Sequence, residues 1–297
     1  MGMGSQLYDN SRKAREVFDL IDDSLSFPLT KLMFEGPASE LRRTINSQPA
    51  IMATSLAALV TLEEFKRDGA LEPTAYAGHS VGEYTSLVTA GVLDLTDGIR
   101  LVRERGRLMQ EASDLRNGGM AAIIGLDDIT VEEVCQETGV EIANVNSDNQ
   151  IVISGDRLSL ARAMDLCAAR GARKTIPLAV AGAFHSHLMA PAQEGLSRLL
   201  DQTSFRDPKA PIVANLTGSV LSTGEDLKDE LKQQMCGCVM WKQSVKSMTD
   251  MGISTFVEFG PGRVLTSLIK RIDRKASLVN VEDLASAKEL AATEQLL

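Results

Sequence analysis

The sequence predicts an α/β fold: a large domain with a parallel sheet of the α/β-hydrolase type, into which a small ferredoxin-like subdomain is inserted. Three observations carry that prediction. The pentapeptide Gly78-His79-Ser80-Val81-Gly82 reads as the end of a strand, a sharp turn and the start of a helix. Short apolar runs alternate with amphipathic helical stretches towards both ends of the chain, as parallel strands with helical crossovers require. Between residues 118 and 182 that texture gives way to the order β-α-β-β-α-β, which is the ferredoxin-like arrangement. The boundaries follow, with residues 1–117 and 183–297 forming the large domain and 118–182 the insert. A chain of 297 residues can bury a sizeable core in such a pair.

Taken in order, residues 11–25 and 49–67 carry helical periodicity, the second opening near Pro49, a residue tolerated in a first helical turn. Pro73-Thr74-Ala75-Tyr76-Ala77 makes a short buried strand, and Val81, Tyr84, Leu87, Val88 and Val92 then recur at helical spacing. Another helix spans 94–114. In the insert, Gly118-Gly119 precede an apolar strand at 120–126, followed by a helix at 130–138 and strands at 140–145 and 150–154. A helix at 156–170 and a strand at 172–179 complete it. Further on, 210–215 and 255–259 read as parallel-type strands, the second running into Gly260-Pro261-Gly262 and a helix at 263–272. A glycine-rich turn after a strand can cradle a phosphate, but a simple tight turn is the preferred reading. The tail from 282 onward, rich in Ala, Glu and Leu, reads as a surface helix.

The chemistry concentrates at Ser80. A serine between strand and helix projects its hydroxyl beside the first N–H groups of the helix, the geometry of a nucleophile elbow, and flanking glycines are expected because side chains there would collide. The plainer reading is a capping box, Ser80-x-x-Glu83, with no chemistry at all. A nucleophilic serine needs a base, and histidine titrates in the right range. The chain has three histidines, and all fall in two segments: His79 here, and His185 and His187 in Gly182-Ala183-Phe184-His185-Ser186-His187. His185 is the candidate base; the plain alternative is a histidine satisfied at a helix start, and His187 receives no role.

Composition excludes several classes. A net charge of −9 disfavours nonspecific nucleic-acid binding. No run approaches the roughly 18–20 apolar residues that span a membrane, and no basic-then-apolar leader opens the chain. The cysteines at 135, 167, 236 and 238 lack disulfide-framework or zinc spacing, so Cys236-x-Cys238 reads as a free-thiol loop, no metal is expected, and a reducing cytoplasm suits the chain.

Several stretches together resemble one family. Gln48-Pro49-Ala50-Ile51, Ala77-Gly78-His79-Ser80-Val81-Gly82-Glu83-Tyr84, Arg103-Glu104-Arg105-Gly106-Arg107-Leu108-Met109-Gln110, residues 119–126, residues 183–189 and Glu258-Phe259-Gly260-Pro261-Gly262 occur in order along nearly the whole chain. They resemble the malonyl-CoA:acyl carrier protein transacylases, related to the acyltransferase domains of fatty-acid and polyketide synthases. The resemblance implies that Ser80 is the nucleophile and His185 the base. It implies that the main-chain carbonyl of Gln234 orients His185 in place of an acidic residue, and that the Val81 N–H serves the oxyanion hole. Arg105 would hold the malonyl carboxylate, since a guanidinium matches a carboxylate bidentately. On residue pattern alone Arg105 reads instead as a solvated charge beside Arg100, Arg103 and Arg107. His79, Asn146 and Phe184 are further substrate-binding candidates. Asn144-x-Asn146 opens a loop at the active-site mouth in that family or simply a turn, and Phe184 resembles malonyl-selective relatives.

The implied partners are malonyl-CoA as substrate and holo acyl carrier protein, with no further cofactor, no nucleic acid and no membrane. Carrier proteins are acidic, so docking to this acidic chain calls for a local basic patch. Arg170, Arg173 and Lys174 or Lys270, Arg271, Arg274 and Lys275 are candidates, with an ordinary solvated face as the plain reading. The family opens with a strand and a glycine-glutamine-rich loop that gives the second oxyanion N–H. Read without a gap, Gly2-Met3-Gly4 lies after that loop, so the natural protein is expected to begin upstream. One oxyanion donor is worth about 3–4 kcal/mol. Two rival readings stand beside the transacylase: a serine hydrolase that transfers to water, and a non-catalytic malonyl-CoA-binding relative.

Overall fold

The longest apolar stretch of the chain becomes a 22-residue helix, Thr44–Phe65, in the computed structural model of the protein, which describes residues 1–66 and 71–293. This helix is long and apolar enough to cross a membrane by length and composition, which corrects the sequence reading. However, 72% of its most apolar window is buried inside the fold. Its small residues Ala50, Ala53, Ala57 and Ala58 are fully buried, and helices Arg12–Leu25, Leu95–Leu115 and Leu284–Ala291 pack around it. The helix starts five residues before Pro49, whose missing N–H leaves the Ile45 carbonyl without its helical donor. The extra turn holds because Thr44, Asn46 and Gln48 are buried and Asn46 Nδ2 donates to the Glu40 carbonyl at 2.9 Å. Residue 67, the expected end of this helix, lies outside the described residues.

The strands of the large layer form two short sheets. In one, β1 (Tyr76–Ala77) runs parallel to β6 (Ile212–Val213), which pairs antiparallel with β7 (Val220–Leu221). In the other, β8 (Thr255–Phe259) and β9 (Ser277–Val281) are parallel over five residue pairs. The antiparallel β7 and the strand β9 are not among the strands expected from the sequence. The glycine-rich turn after β8 leads into helix Val264–Ile272, whose first N–H groups at Leu265 and Thr266 are already taken by the Glu258 carboxylate at 2.9 and 2.8 Å. It is a capped helix start and not a phosphate cradle. The last described helix, Leu284–Ala291, is the surface helix expected: it buries Ala287 and Leu290 against the core and exposes Ala285, Lys288 and Glu289.

The insert has β2 (Gly118–Ile124), β3 (Glu141–Ser147), β4 (Gln150–Asp156) and β5 (Lys174–Pro177) in one antiparallel sheet of order β3-β4-β2-β5. Its helices Asp128–Thr138 and Arg157–Ala169 cover one face. Alternation decides the rest. Ala121 and Ile123 face the helices with Val131, Val134, Leu160 and Ala163, whereas Met120 and Ala122 face the other way, with Leu178 and Phe184 against them. Gly118 and Gly119 belong to β2 and do not merely precede it. Two bonds, Val145 N–H to the Val239 carbonyl at 2.9 Å and Val239 N–H to the Ala143 carbonyl at 2.8 Å, fasten this sheet to the loop after helix Gly224–Gln234.

Candidate active site

Strand β1 ends at Ala77 and helix Val81–Thr89 begins four residues later, so the chain reverses sharply through Gly78, His79 and Ser80. Ser80 sits at φ 53°, ψ −110°, a region that non-glycine residues avoid. A Cβ on Gly78 would collide with the backbone of Gly82 and Glu83, whereas one on Gly82 would meet nothing. Only the first elbow glycine is sterically required, which corrects the expectation for both.

The capping-box reading does not hold. The Ser80 side chain caps no helix N–H, and the Glu83 carboxylate is buried, accepting from Asn215 N–H at 3.1 Å and Gln234 Nε2 at 2.5 Å. Ser80 Oγ instead lies 2.8 Å from His185 Nε2 and accepts from Arg105 Nη2 at 3.0 Å. His185 Nδ1 stands 3.0 Å from the carbonyls of both Gln234 and Gly237. Carbonyls only accept, so Nδ1 carries the proton and Nε2 is free to accept from the serine. His185, like Ser80, has a positive φ, 55°. Burial, then the Arg105 cation and His79, pushes the imidazole pKa down to about 3, and the two carbonyls oppose this. The ring is therefore neutral at physiological pH.

Arg105 does not face solvent. It is 1% exposed, on the inner face of helix Leu95–Leu115, where Gly106 lets the helix approach the Thr44–Ile45 backbone. Its Nη1 donates to Gln48 Oε1 at 2.5 Å and its Nη2 to Gln234 Oε1 at 3.2 Å, while Nε has no partner among the described residues. Burial lowers its pKa, yet a guanidinium stays charged. The cation is held by neutral amides and no carboxylate.

His79 Nε2 and Asn146 Oδ1 are 2.9 Å apart, and the His79 ring packs 5.7 Å from that of Trp241. Burial pulls the His79 pKa down. Asn146 lies on β3 and not in a loop or turn, so the insert sends it across to the elbow. Val81 is the first residue of its helix, and its N–H has no intrahelical partner. Phe184 is half-buried at the seam where the large layer meets the free face of the insert sheet. His187 is exposed and its N–H bonds Glu141 at 2.6 Å, away from Ser80. Among the described residues no cluster suits a metal ion, and the four cysteines are free. Of the basic patches, Arg170 is engaged by Glu133 and Glu137, while Lys270, Arg271, Arg274 and Lys275 are exposed.

Sequence reasoning missed Asn215, which donates to the Gly78 carbonyl and accepts from Ser80 N–H, both at 2.7 Å. It also missed Gln48, the Gly237 carbonyl and the side chain of Gln234. A polar residue just past the end of strand β6, as Asn215 is, was the one available signal.

Known proteins share this arrangement of sequence and fold. The acyl transferase domain family matches residues 1–292. A malonyl CoA-acyl carrier protein transacylase of Bacillus subtilis (strain 168) is 40% identical over 288 residues, covering 95% of this chain and 90% of that one. One from Staphylococcus aureus (strain MRSA252) is 36% identical, with 97% and 93% covered. Among solved structures, an acyl carrier protein S-malonyltransferase from Vibrio cholerae O1 superposes with a TM-score of 0.93 at 35% identity, over 98% of this chain and 95% of that one. A malonyl-transacylase in complex with a type II PKS acyl-carrier protein gives 0.92 at 38% identity, over 97% and 93%.

Proposed function

This chain belongs to the acyl transferase domain family, and from that premise we propose that it moves a malonyl group from malonyl-CoA to the phosphopantetheine thiol of acyl carrier protein. The observation that carries the reading is that one hydroxyl, Ser80 Oγ, lies 2.8 Å from His185 Nε2 and 3.0 Å from the Arg105 guanidinium. A base and a cation bonded to no carboxylate at one nucleophile suit an acyl group that carries its own carboxylate. A generic esterase or hydrolase has no use for that cation. Acetyl-CoA would leave it buried and unpaired, a penalty that favours malonyl.

In the first half-reaction Ser80 Oγ attacks the thioester carbonyl while His185 Nε2 takes its proton. The carbonyl oxygen becomes an oxyanion facing the Val81 N–H at the start of the helix. Collapse breaks the C–S bond, and the departing CoA sulfur receives the proton from His185. Malonyl is left as a Ser80 ester with its carboxylate on Arg105. In the second half the carrier thiol gives its proton to His185, its sulfur attacks the ester carbonyl, and Ser80 Oγ leaves and regains the proton. The carbonyls of Gln234 and Gly237 hold His185 in the required tautomer throughout. His79, Asn146 and Phe184 line the approach of the acyl group, and no cofactor beyond the CoA thioester takes part. The exposed cations at Lys270, Arg271, Arg274 and Lys275 are the surface offered to the carrier, and four unoxidised cysteines suit the cytoplasm.

Intact mass after brief exposure to malonyl-CoA, with and without holo-carrier, tests this. The expected result is a malonyl adduct, absent in Ser80→Ala, that is discharged only when carrier is added. Discharge by water alone would make the chain a hydrolase. No adduct at all would leave it a binding protein.

A further inference from the structure

The Gln234 side chain takes no part in the transfer just described, yet the residue as a whole bonds the base, the cation and the backbone of Ser80. Its main-chain carbonyl holds His185. Its Oε1 accepts from Arg105 Nη2 at 3.2 Å, and its Nε2 donates to the Ser80 carbonyl at 3.1 Å and to the Glu83 carboxylate at 2.5 Å. All four residues are at least half enclosed, and Gln234 and Glu83 are fully buried. Only one orientation of the amide satisfies these neighbours, because two acceptors need its NH2 and the guanidinium needs its oxygen. The polarity of the group is thus set by chemistry.

The opposite side of the elbow is held in the same way. Asn215 Oδ1 takes the Ser80 N–H, its Nδ2 holds the Gly78 carbonyl, and its own N–H is fixed by Glu83 Oε1. Both backbone polar groups of the nucleophile are therefore bound by side-chain amides, and Glu83 anchors both. Ser80 needs such help, since φ 53°, ψ −110° is costly for a residue with a Cβ. The sequence singled out Glu83 only as half of a capping box that does not form.

We propose that the Gln234 carboxamide, anchored by Glu83, is a positioning residue that sets the nucleophile's backbone and the Arg105 guanidinium in one register. The consequence is a link between rate and selectivity. Without the amide, Ser80 loses a constraint for every acyl donor, but Arg105 also loses an acceptor, and that matters only to a donor with a carboxylate. A network that merely filled the core would lower the amount of active enzyme for all donors alike.

The inference rests on the transacylase reading, and the experiment separates the two. Single-turnover acylation of Ser80 by malonyl-CoA and by acetyl-CoA is followed by intact mass on one preparation each of wild type, Gln234→Met and Glu83→Gln. Both rates come from the same sample, so a reduced folded fraction cancels from their ratio. In Gln234→Met the malonyl-to-acetyl ratio is expected to fall about 10- to 100-fold, the scale of one acceptor lost from a buried cation, with KM for malonyl-CoA raised, while the loosened Ser80 backbone lowers both rates alike. In Glu83→Gln, whose amide must oppose a donor to either Asn215 or Gln234, the ratio is expected to fall about tenfold, one step of about 1.4 kcal/mol. Ratios within twofold of wild type in both variants overturn the proposal. A fall in Gln234→Met alone overturns the anchoring role of Glu83. A wild type that forms no malonyl-Ser80 defeats the transacylase reading instead.

Discussion

Arg105 and Arg107 stand two residues apart on one helix and meet opposite surroundings. Arg107 lies on the outer face with its side chain 40% exposed, paired with Glu104 at 2.5 Å and also with Glu111. Arg105 lies on the inner face, 1% exposed, with two glutamine oxygens and a serine hydroxyl about it. The outer charge is satisfied within the helix and screened by water. The inner one has been desolvated at a cost of several kcal/mol, and no carboxylate bonds it directly; the Tyr84 ring 5.5 Å from the guanidinium carbon and the Coulombic pull of Glu83 offset only part of that cost. A fold that maintains such a charge is poised for an anion, and the Ser80 hydroxyl 3.0 Å away says where the rest of that anion must lie in the proposed reaction.

The largest test of the contrast replaces each arginine by methionine. Arg105→Met is expected to lower kcat/KM for malonyl-CoA by a factor of 10²–10⁴, about 3–5 kcal/mol for a buried charge pair that can no longer form. Acetyl-CoA should lose far less, so competition between the two donors reads the effect directly. Thermal melting of the same variant should show a modest loss of stability, because the buried Gln48 and Gln234 oxygens lose their donor at about 1–3 kcal/mol each, offset by the desolvated charge that is removed. Arg107→Met should leave both activities unchanged and alter stability by no more than about 1 kcal/mol. Equal losses at both positions would dissolve the comparison.

A smaller effect sharpens it. Gln48 Oε1 accepts from Arg105 Nη1 at 2.5 Å, and its Nε2 faces the Met109 sulfur at 3.2 Å. Gln48→Met keeps the volume and removes an acceptor worth about 1.5–3 kcal/mol for a charged donor. KM for malonyl-CoA is therefore expected to rise roughly tenfold or more, with the acetyl-CoA rate unaltered. A change shared by both donors would mean that Gln48 only fills the core.

How much of this was legible in the sequence follows from the same helix. Leu101, Val102, Arg105, Met109 and Ala112 are buried together, and their spacing is that of one helical face. A charge on an apolar stripe is a signal, and it was outweighed by the neighbouring Arg100, Arg103 and Arg107. Local pattern also carried the insert, because its six elements follow one another in sequence and alternate cleanly. The order of its sheet agrees with the ferredoxin-like expectation. What stayed hidden is long-range. Asn215 reaches Ser80 across 135 residues and Gln234 across 154, and nothing in either neighbourhood announces the other end. β7 was missed because it is only two residues long and its pairing with β6 makes it a strand, whereas β9 carries Leu278, Val279 and Val281 and its propensity was passed over.

The Arg105 charge also reaches His185, and pH exposes it. Burial and then that cation hold the imidazole near a pKa of about 3, below its ordinary 6.5. In the proposed mechanism the neutral imidazole is the active form, so activity is retained as pH falls through 6.5 and fails only on approach to the depressed value. The acid limb of kcat/KM should accordingly lie well below pH 6. Removing the cation in Arg105→Met takes away one of the causes, so the limb measured with acetyl-CoA should move up in pH. An acid limb at pH 6.5 in the wild type would mean an imidazole that is solvated, contrary to its 4% exposure.

The two elbow glycines repeat the comparison at the smallest scale. They are four residues apart and of one type, but only Gly78 has backbone against the place where a Cβ would stand. Gly78→Ala must push the Gly82–Glu83 peptide away, and with it the start of the helix and the Val81 N–H, so acylation of Ser80 should fall steeply. Gly82→Ala meets open space inside a helix, where alanine is favoured by about 0.5–1 kcal/mol. A slightly raised melting temperature with acylation of Ser80 preserved is the expected outcome. Loss of acylation in a stable Gly82→Ala would show that the open space above the elbow is where the acyl group must pass, and that the glycine is kept for the substrate and not for the fold.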